Sequence, residues 1–185
     1  MTKRCAWANS DELLKKYHDE EWGRPLHDDQ KLLEILILEG KSCGLSWKLI
    51  LKKREYMRKV FDNFNPEILV TYDDAKINAL LNDSGIIRSR LKISAVIENA
   101  KAYLKIKKRG SFNDFLWEYV DYNPIINEAS KIITRSNISD KLSNDLKKLG
   151  FKFVGSTIIY SFMQAIGMMN DHETACFCRR SDVFA

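Results

Sequence analysis

Glu39 is a carboxylate set among apolar and aromatic residues. It follows the helical run Leu36-Ile37-Leu38 and precedes Gly40 in the segment LEGKSCGLSW. Gly40 reads as a helix end, which would aim the carboxylate into a cavity there. Trp7, Tyr17, Trp22 and Trp47 place four large aromatics in the first quarter of the chain. Such rings and one carboxylate suit a flat cation: the π-faces attract the charge, and the carboxylate adds a countercharge and a hydrogen-bond acceptor. A purine alkylated at N3 is such a cation. The competing reading makes the aromatics ordinary core and Glu39 a solvated helix-end residue. Ser46 and Cys43 offer nucleophilic atoms, but no histidine or other base stands at a recognisable spacing from either.

A second chemistry lies at the chain ends. Cys5 and His18 stand near the start; His172 and Cys176 stand near the end, four residues apart. Residues i and i+4 share a helix face, so the second pair can reach one ion. Two thiolates and two imidazoles form a tetrahedral zinc set, and four protein ligands make it a structural site. Such an ion would tie the ends together where fraying begins. The alternative is four unrelated residues, because no short-range zinc motif is present. Cys178 competes with Cys176 as ligand, and His27, in RPLHDD, reads as a loop histidine.

A third candidate is the segment NDSGIIRSRLKI, which places Gly85 in a short hairpin between two helical patterns. Backbone amides of such a turn can hold a DNA phosphate, assisted by the next helix N-terminus. Arg88, Arg90 and Lys92 follow directly; Lys52-Lys53-Arg54, Lys105 through Arg109 and Lys147-Lys148 add basic charge elsewhere. Lysine runs of this kind also read as solvated helix faces.

The elements that must position these groups are helical. Leu32, Leu33, Leu36 and Ile37 line one side of a segment starting near Asp28, and Trp47, Ile50, Leu51 and Val60 line the next. Asn65-Pro66 reads as an N-cap with proline at the first helical position. Ile93, Val96, Ile97, Ala100, Tyr103 and Leu104 form a third stripe. Leu142, Leu146 and Leu149 form a fourth, with Gly150 as its C-cap. Residues 156–166 fit a strand by their isoleucines or a buried helix by their length; without evident partner strands, helix is the reading. An all-α fold in a single domain spanning residues 1–185 is expected.

The chain's 185 residues suffice for a core without disulfides. A formal charge of +5 is compatible with nucleic acid but decides little. The N-terminus carries charges where a signal peptide needs an apolar stretch, and no run suits a bilayer, so no membrane association and a cytoplasmic location are expected.

Five stretches, in order, resemble the DNA-3-methyladenine glycosylase I family of the helix-hairpin-helix glycosylase superfamily. They are RCAW at the start, YHDEEWG at 17–23, LEGKSCGLSWKLILKKRE at 38–55, SGIIRSRLKI at 84–93 and GFKFVGSTIIYSFMQAIGMMNDH at 150–172. The resemblance implies a helix-hairpin-helix type fold and one structural zinc held by Cys5, His18, His172 and Cys176. It places Glu39, Tyr17 and Trp47 around an extruded base, with Trp7 bordering the pocket and Glu39 as the catalytic carboxylate. It assigns Gly85, Ile86, Ile87 and Arg88 to the DNA-binding hairpin. The implied activity is release of 3-methyladenine, and less readily 3-methylguanine, from alkylated double-stranded DNA by a monomer, with an abasic site left behind. In a bacterium the enzyme would be nucleoid-associated.

This chain departs from the family pattern at two positions. Leu91 stands where a short-turn residue is common, and Cys43 stands where alanine is usual, a change expected in a buried site. Many helix-hairpin-helix glycosylases also carry an aspartate after the hairpin that stabilises the sugar cation. The matching stretch KISAVIENAKAYLK offers Glu98 but no aspartate. Two other classes fit parts of the sequence: a non-catalytic, zinc-stabilised DNA-binding module, and a helical protein that binds another small cation. A pure DNA binder has no need of Glu39 amid aromatics.

Overall fold

The computed structural model describes residues 3–128 and 132–179. Nine α-helices are found among them: α1 (Glu12–Glu20), α2 (Asp29–Ser42), α3 (Trp47–Val60), α4 (Pro66–Leu69), α5 (Asp74–Asn82), α6 (Arg90–Lys107), α7 (Phe112–Trp117), α8 (Asn137–Leu149) and α9 (Ser156–Ala165). Local chemistry sets many of the boundaries. The side chains of Asp28, Ser46, Asp73, Ser89 and Ser136 each accept a backbone N–H in the first turn of the helix they precede. Asn65 caps α4, with Pro66 in the first turn. Gly150 ends α8 at φ 103°, a left-handed conformation that costs glycine little.

The apolar stripes converge on one core. Leu32, Leu33, Leu36 and Ile37 of α2 meet Ile93, Val96 and Ala100 of α6, Leu142 and Leu146 of α8, and Ile159, Phe162 and Met163 of α9. Residues 156–165 are helical, as their length suggests, and their buried face closes the core behind α2.

Three local expectations change. The helical fold includes one small parallel pair, β1 (Ile125–Ile126) with β2 (Met169–Asn170). Its two-residue strands carry no alternation that a sequence pattern would reveal. Gly40 lies inside α2, which continues to Ser42. A Cβ there would stand 3.1 Å from that of Phe153, so this glycine admits the 151–155 segment rather than ending the helix. Lys41, just past Glu39, is therefore within the helix and buried. Cys43 is exposed.

Among the described residues, no helix is long and apolar enough to cross a membrane.

Candidate active site

Glu39 sits in the last turns of α2, 5% exposed, on the wall of a cavity of about 690 Å³. Trp7, Tyr17, Trp22 and Trp47 line the same cavity, so all four early tryptophan and tyrosine rings gather there. The rings are tilted or edge-on rather than stacked. Tyr17 and Trp47 have centroids 5.5 Å apart at 52°, and Trp7 and Trp22 lie 5.1 Å apart at 81°. Edge-to-face pairs leave ring faces open to a third aromatic. Trp7 is the most accessible, at 37%.

Burial pushes the Glu39 carboxyl up to about 8. A lone carboxylate in an apolar wall resists ionisation until a cation arrives. Burial also raises the Tyr17 hydroxyl well above its ordinary value, with Glu39 adding to the shift. The indole N–H of Trp47 is buried beside the Tyr17 hydroxyl, where it partly offsets that rise. The cavity thus presents an acid and a hydroxyl among aromatic surfaces.

Two further polar side chains on the wall come from α9 and the segment that follows it. Gln164, at the end of α9, donates from Nε2 to Asp171 Oδ2 at 2.6 Å, and Tyr160 donates its hydroxyl to the same oxygen at 2.8 Å. Gln164 and Asp171 both line the cavity. Neither was singled out in the sequence. They lie at the far end of the chain from Glu39, and no local spacing links them to it.

The terminal residues meet beside this cavity. His18, His172, Cys176 and Cys178 are buried, and their ligand atoms all lie within 4.8 Å of one another. Three of the four expected ligands are in this set. Cys5 is buried against Cys176 and Cys178, and its Sγ accepts the Glu173 N–H at 3.3 Å. Cys178 joins the set although it was expected only as a competitor.

The outer contacts orient both imidazoles. His18 Nδ1 contacts Asp19 Oδ1 at 2.8 Å, and His172 Nδ1 contacts Asn170 Oδ1 at 3.0 Å. Both rings therefore turn Nε2 toward the cluster, as metal-binding histidines do. His18 Nε2 is 3.3 Å from Cys176 Sγ, and His172 Nε2 is buried without a partner. Burial lowers His172 to about 3, which keeps it neutral and able to ligate. Burial raises the thiols of Cys5 to about 12 and Cys178 to about 11. Thiolates here require a positive charge to form. This buried group could bind a metal ion.

The same segment knits the termini: Phe177 N–H donates to the Lys3 carbonyl, and Ala6 N–H donates to Glu173 Oε1. Trp22 stands between the two sites, its ring 4.5 Å from that of His172. His27 lies apart, contacting Asn113 Oδ1 and packing on Trp117.

Residues 83–89 join α5 to α6 in a tight turn. A Cβ at Gly85 would fall 2.2 Å from the Tyr56 ring, so only glycine fits against that aromatic. Asp83 receives both the Tyr56 hydroxyl and the Gly85 N–H. Ile86 is buried, Ile87 packs on the core, and Arg88 is exposed. Several of the basic residues around this turn face protein instead of solvent. Lys53 donates to the carbonyls of Ser84 and Gly85, Lys92 donates to those of Lys41 and Cys43, and Arg54 pairs with Glu21. Leu91 is 75% exposed at the start of α6.

Comparisons with known proteins agree with this geometry. Residues 7–179 match the family model described as methyladenine glycosylase. The chain is 48% identical to DNA-3-methyladenine glycosylase 1 of Escherichia coli, over 95% of this chain and 96% of that protein. It is 43% identical to DNA-3-methyladenine glycosylase of Haemophilus influenzae, over 98% of this chain and 100% of that one. A crystallised variant of 3-methyladenine DNA glycosylase I in complex with 3-methyladenine superposes with a TM-score of 0.92 at 37% identity. That match covers 96% of this chain and 98% of the other.

Proposed function

Because this chain belongs to the methyladenine glycosylase family, we propose that it hydrolyses the N-glycosidic bond of 3-methyladenine in alkylated duplex DNA, leaving an abasic site. Release of 3-methylguanine follows less readily. The observation that carries this reading is the buried carboxylate of Glu39 on the wall of an aromatic cavity. A DNA binder with no catalytic task has no use for such a group.

A base stacked in duplex DNA is out of reach, so it must be extruded into the cavity at a cost of a few kcal/mol. Methylation at N3 makes the purine cationic, and the base departs neutral. The leaving group therefore needs little activation. The enzyme's tasks are to select the base and to tolerate positive charge developing on the sugar. Tyr17, Trp47 and Trp7 offer the ring surfaces, and Glu39 accepts from the exocyclic amine. The cation draws Glu39 into its ionised form, since a positive charge nearby offsets the burial that holds its proton.

Gly85, Ile86, Ile87 and Arg88 form the DNA-gripping element of a helix-hairpin-helix. Support comes from the tight 83–89 turn leading into α6 and from the outward Arg88. Lys53 and Lys92 shape this turn and the end of α2 instead of meeting phosphate.

The terminal cluster holds zinc. The oriented imidazoles, the unpartnered His172 Nε2 and the soft thiols fit that ion. The proposed ligands are Cys5, His18, His172 and Cys176, with Cys178 as the competing thiolate. A zinc with four protein ligands supplies structure, not chemistry. The whole of residues 1–185 works as one catalytic unit, a cytoplasmic monomer, nucleoid-associated in a bacterium.

The test is base release. Purified protein incubated with methylated duplex DNA is expected to liberate free 3-methyladenine and leave alkali-labile sites. Binding of such DNA without release of any base would overturn the reading.

A further inference from the structure

Gln164 has one side-chain amide and a fixed use for half of it. Its Nε2 donates to Asp171 Oδ2 at 2.6 Å. A carboxylate oxygen accepts and never donates, so the amide cannot be flipped without setting two oxygens against each other. Asp171 is itself held by the Tyr160 hydroxyl at 2.8 Å, one helical turn before Gln164 on the same face of α9. The Gln164 backbone carbonyl accepts the Gly23 N–H, which ties this turn to the segment carrying Tyr17 and Trp22. Among the described residues, the amide oxygen is thereby left without a donor, on a residue that lines the cavity.

The same cavity presents Glu39 from α2. Two hydrogen-bond acceptors, one from each helix, border the space proposed for the base. An exocyclic amine has two hydrogens and suits such a pair. Opposite an ionised Glu39, an oxo group in its place brings a third acceptor with no proton to share. Rejection of a partner that leaves buried polar atoms unpaired is the stronger form of discrimination.

We propose that Gln164 is a specificity-determining residue, its amide oxygen locked by Asp171 as a second acceptor for the 6-amino group of the extruded purine. This rests on the base-release reading and deepens it. Glu39 meets the charge and one amine hydrogen, and Gln164 meets the other. Purines carrying oxygen at position 6 find two acceptors facing them. Asp171 acts through Gln164 and is a positioning residue.

The experiment compares Gln164→Met with the parent protein on DNA containing both 3-methyladenine and 3-methylguanine, with each released base quantified. Methionine keeps length and removes both polar atoms. Loss of one neutral hydrogen bond is expected to lower 3-methyladenine release by roughly fivefold. Release of 3-methylguanine should hold or rise, so the ratio of the two falls. Equal loss of both bases, or an unchanged ratio, overturns the inference. If Gln164→Met does not fold, judged by its helical circular dichroism, Gln164→Asn carries the same test. Its shorter side chain cannot reach Asp171 and the base together, and the ratio should fall again. A parent protein that releases no base at all would instead overturn the reading on which this proposal stands.

Discussion

The aromatic cavity and the terminal cysteine–histidine cluster share a wall, since Cys5, Trp7, Trp22 and His172 border the cavity as well. Their polar atoms are arranged in opposite ways. In the cluster, ligand atoms of His18, His172, Cys176 and Cys178 point at one another, within 4.8 Å. In the cavity, Glu39 and Gln164 border space that the described residues leave open. A closed set of donors makes structure; an open set makes recognition. Both leave buried polar atoms unsatisfied, at His172 Nε2 and Asp171 Oδ1. Each such atom is costly unless a ligand supplies the partner.

The largest effect should follow from opening the cluster. His172→Ala, or removal of the metal by a strong chelator, is expected to destabilise the fold by about 4 kcal/mol, the range in which loss of a metal site falls. Thermal melting with zinc measured on the same samples checks this. A paired test asks which thiolate completes the site. Cys5→Ala is expected to lose the ion, whereas Cys178→Ala keeps it. Native protein that contains no zinc by elemental analysis would remove the distinction between the two regions.

Next in size is Glu39→Gln. The fold should hold, because the substituted group faces a cavity and loses no protein hydrogen bond. Base release should drop roughly 10- to 150-fold, the loss expected for a hydrogen bond to a charged acceptor, about 1.5–3 kcal/mol. Single-turnover rates together with melting curves separate the two effects. An equal fall in stability would make Glu39 a core residue.

A pH series sharpens the same point. Burial holds the Glu39 carboxyl protonated up to about 8 in the free protein. The cationic base needs the ionised form, so binding must release a proton below that pH. Affinity for DNA containing 3-methyladenine is expected to climb between pH 6 and 8, by up to about tenfold per unit, and to level off above. Glu39→Gln should flatten the slope. A parent profile flat from pH 6 to 8 would mean that Glu39 is already ionised before the base arrives.

The two regions also differed in how far the sequence exposed them. The aromatics and Glu39 fall in the first quarter of the chain, where motif spacing brings them together on paper. The helices were legible for a similar local reason. Stripes such as Leu32-Leu33-Leu36-Ile37 and the caps at Asn65 and Gly150 act within a few residues. Gly40 misled because its role is tertiary: it clears space for Phe153, and nothing nearby in sequence records that. Gln164 and Asp171 were invisible for the same reason, whereas Cys178 was legible as a competitor to Cys176. The β1–β2 pair joins residues 125–126 to 169–170, and two-residue strands carry no period.

The smallest effect is expected at Lys41, and it bears on the chemistry. Its amine is fully buried, lacks a hydrogen-bond partner and lies 4.4 Å from the centre of the Phe61 ring. Burial, with Lys92 nearby, lowers it to about 7 from an ordinary 10.5. An amine so shifted has the reactivity that Schiff-base glycosylases use to attack the sugar and nick the strand. Position argues against that use. Two residues on from Glu39, it is turned about 200° around the helix, and it is not among the residues that line the cavity. Borohydride added during turnover should therefore trap no protein–DNA adduct, and Lys41→Met should release base at the parent rate. Its effect should appear in stability alone. The unfolded chain protonates this amine up to 10.5 and the folded chain only up to about 7, so the buried-charge penalty is complete below pH 7 and fades as pH rises to 10.5. Lys41→Met is expected to gain about 1 kcal/mol at pH 6, where methionine fills a similar volume without the charge, and to lose that advantage by pH 10. A trapped adduct in the parent that vanishes in Lys41→Met would move the attacking group from water to this amine and place Lys41 in the open region, not the closed core.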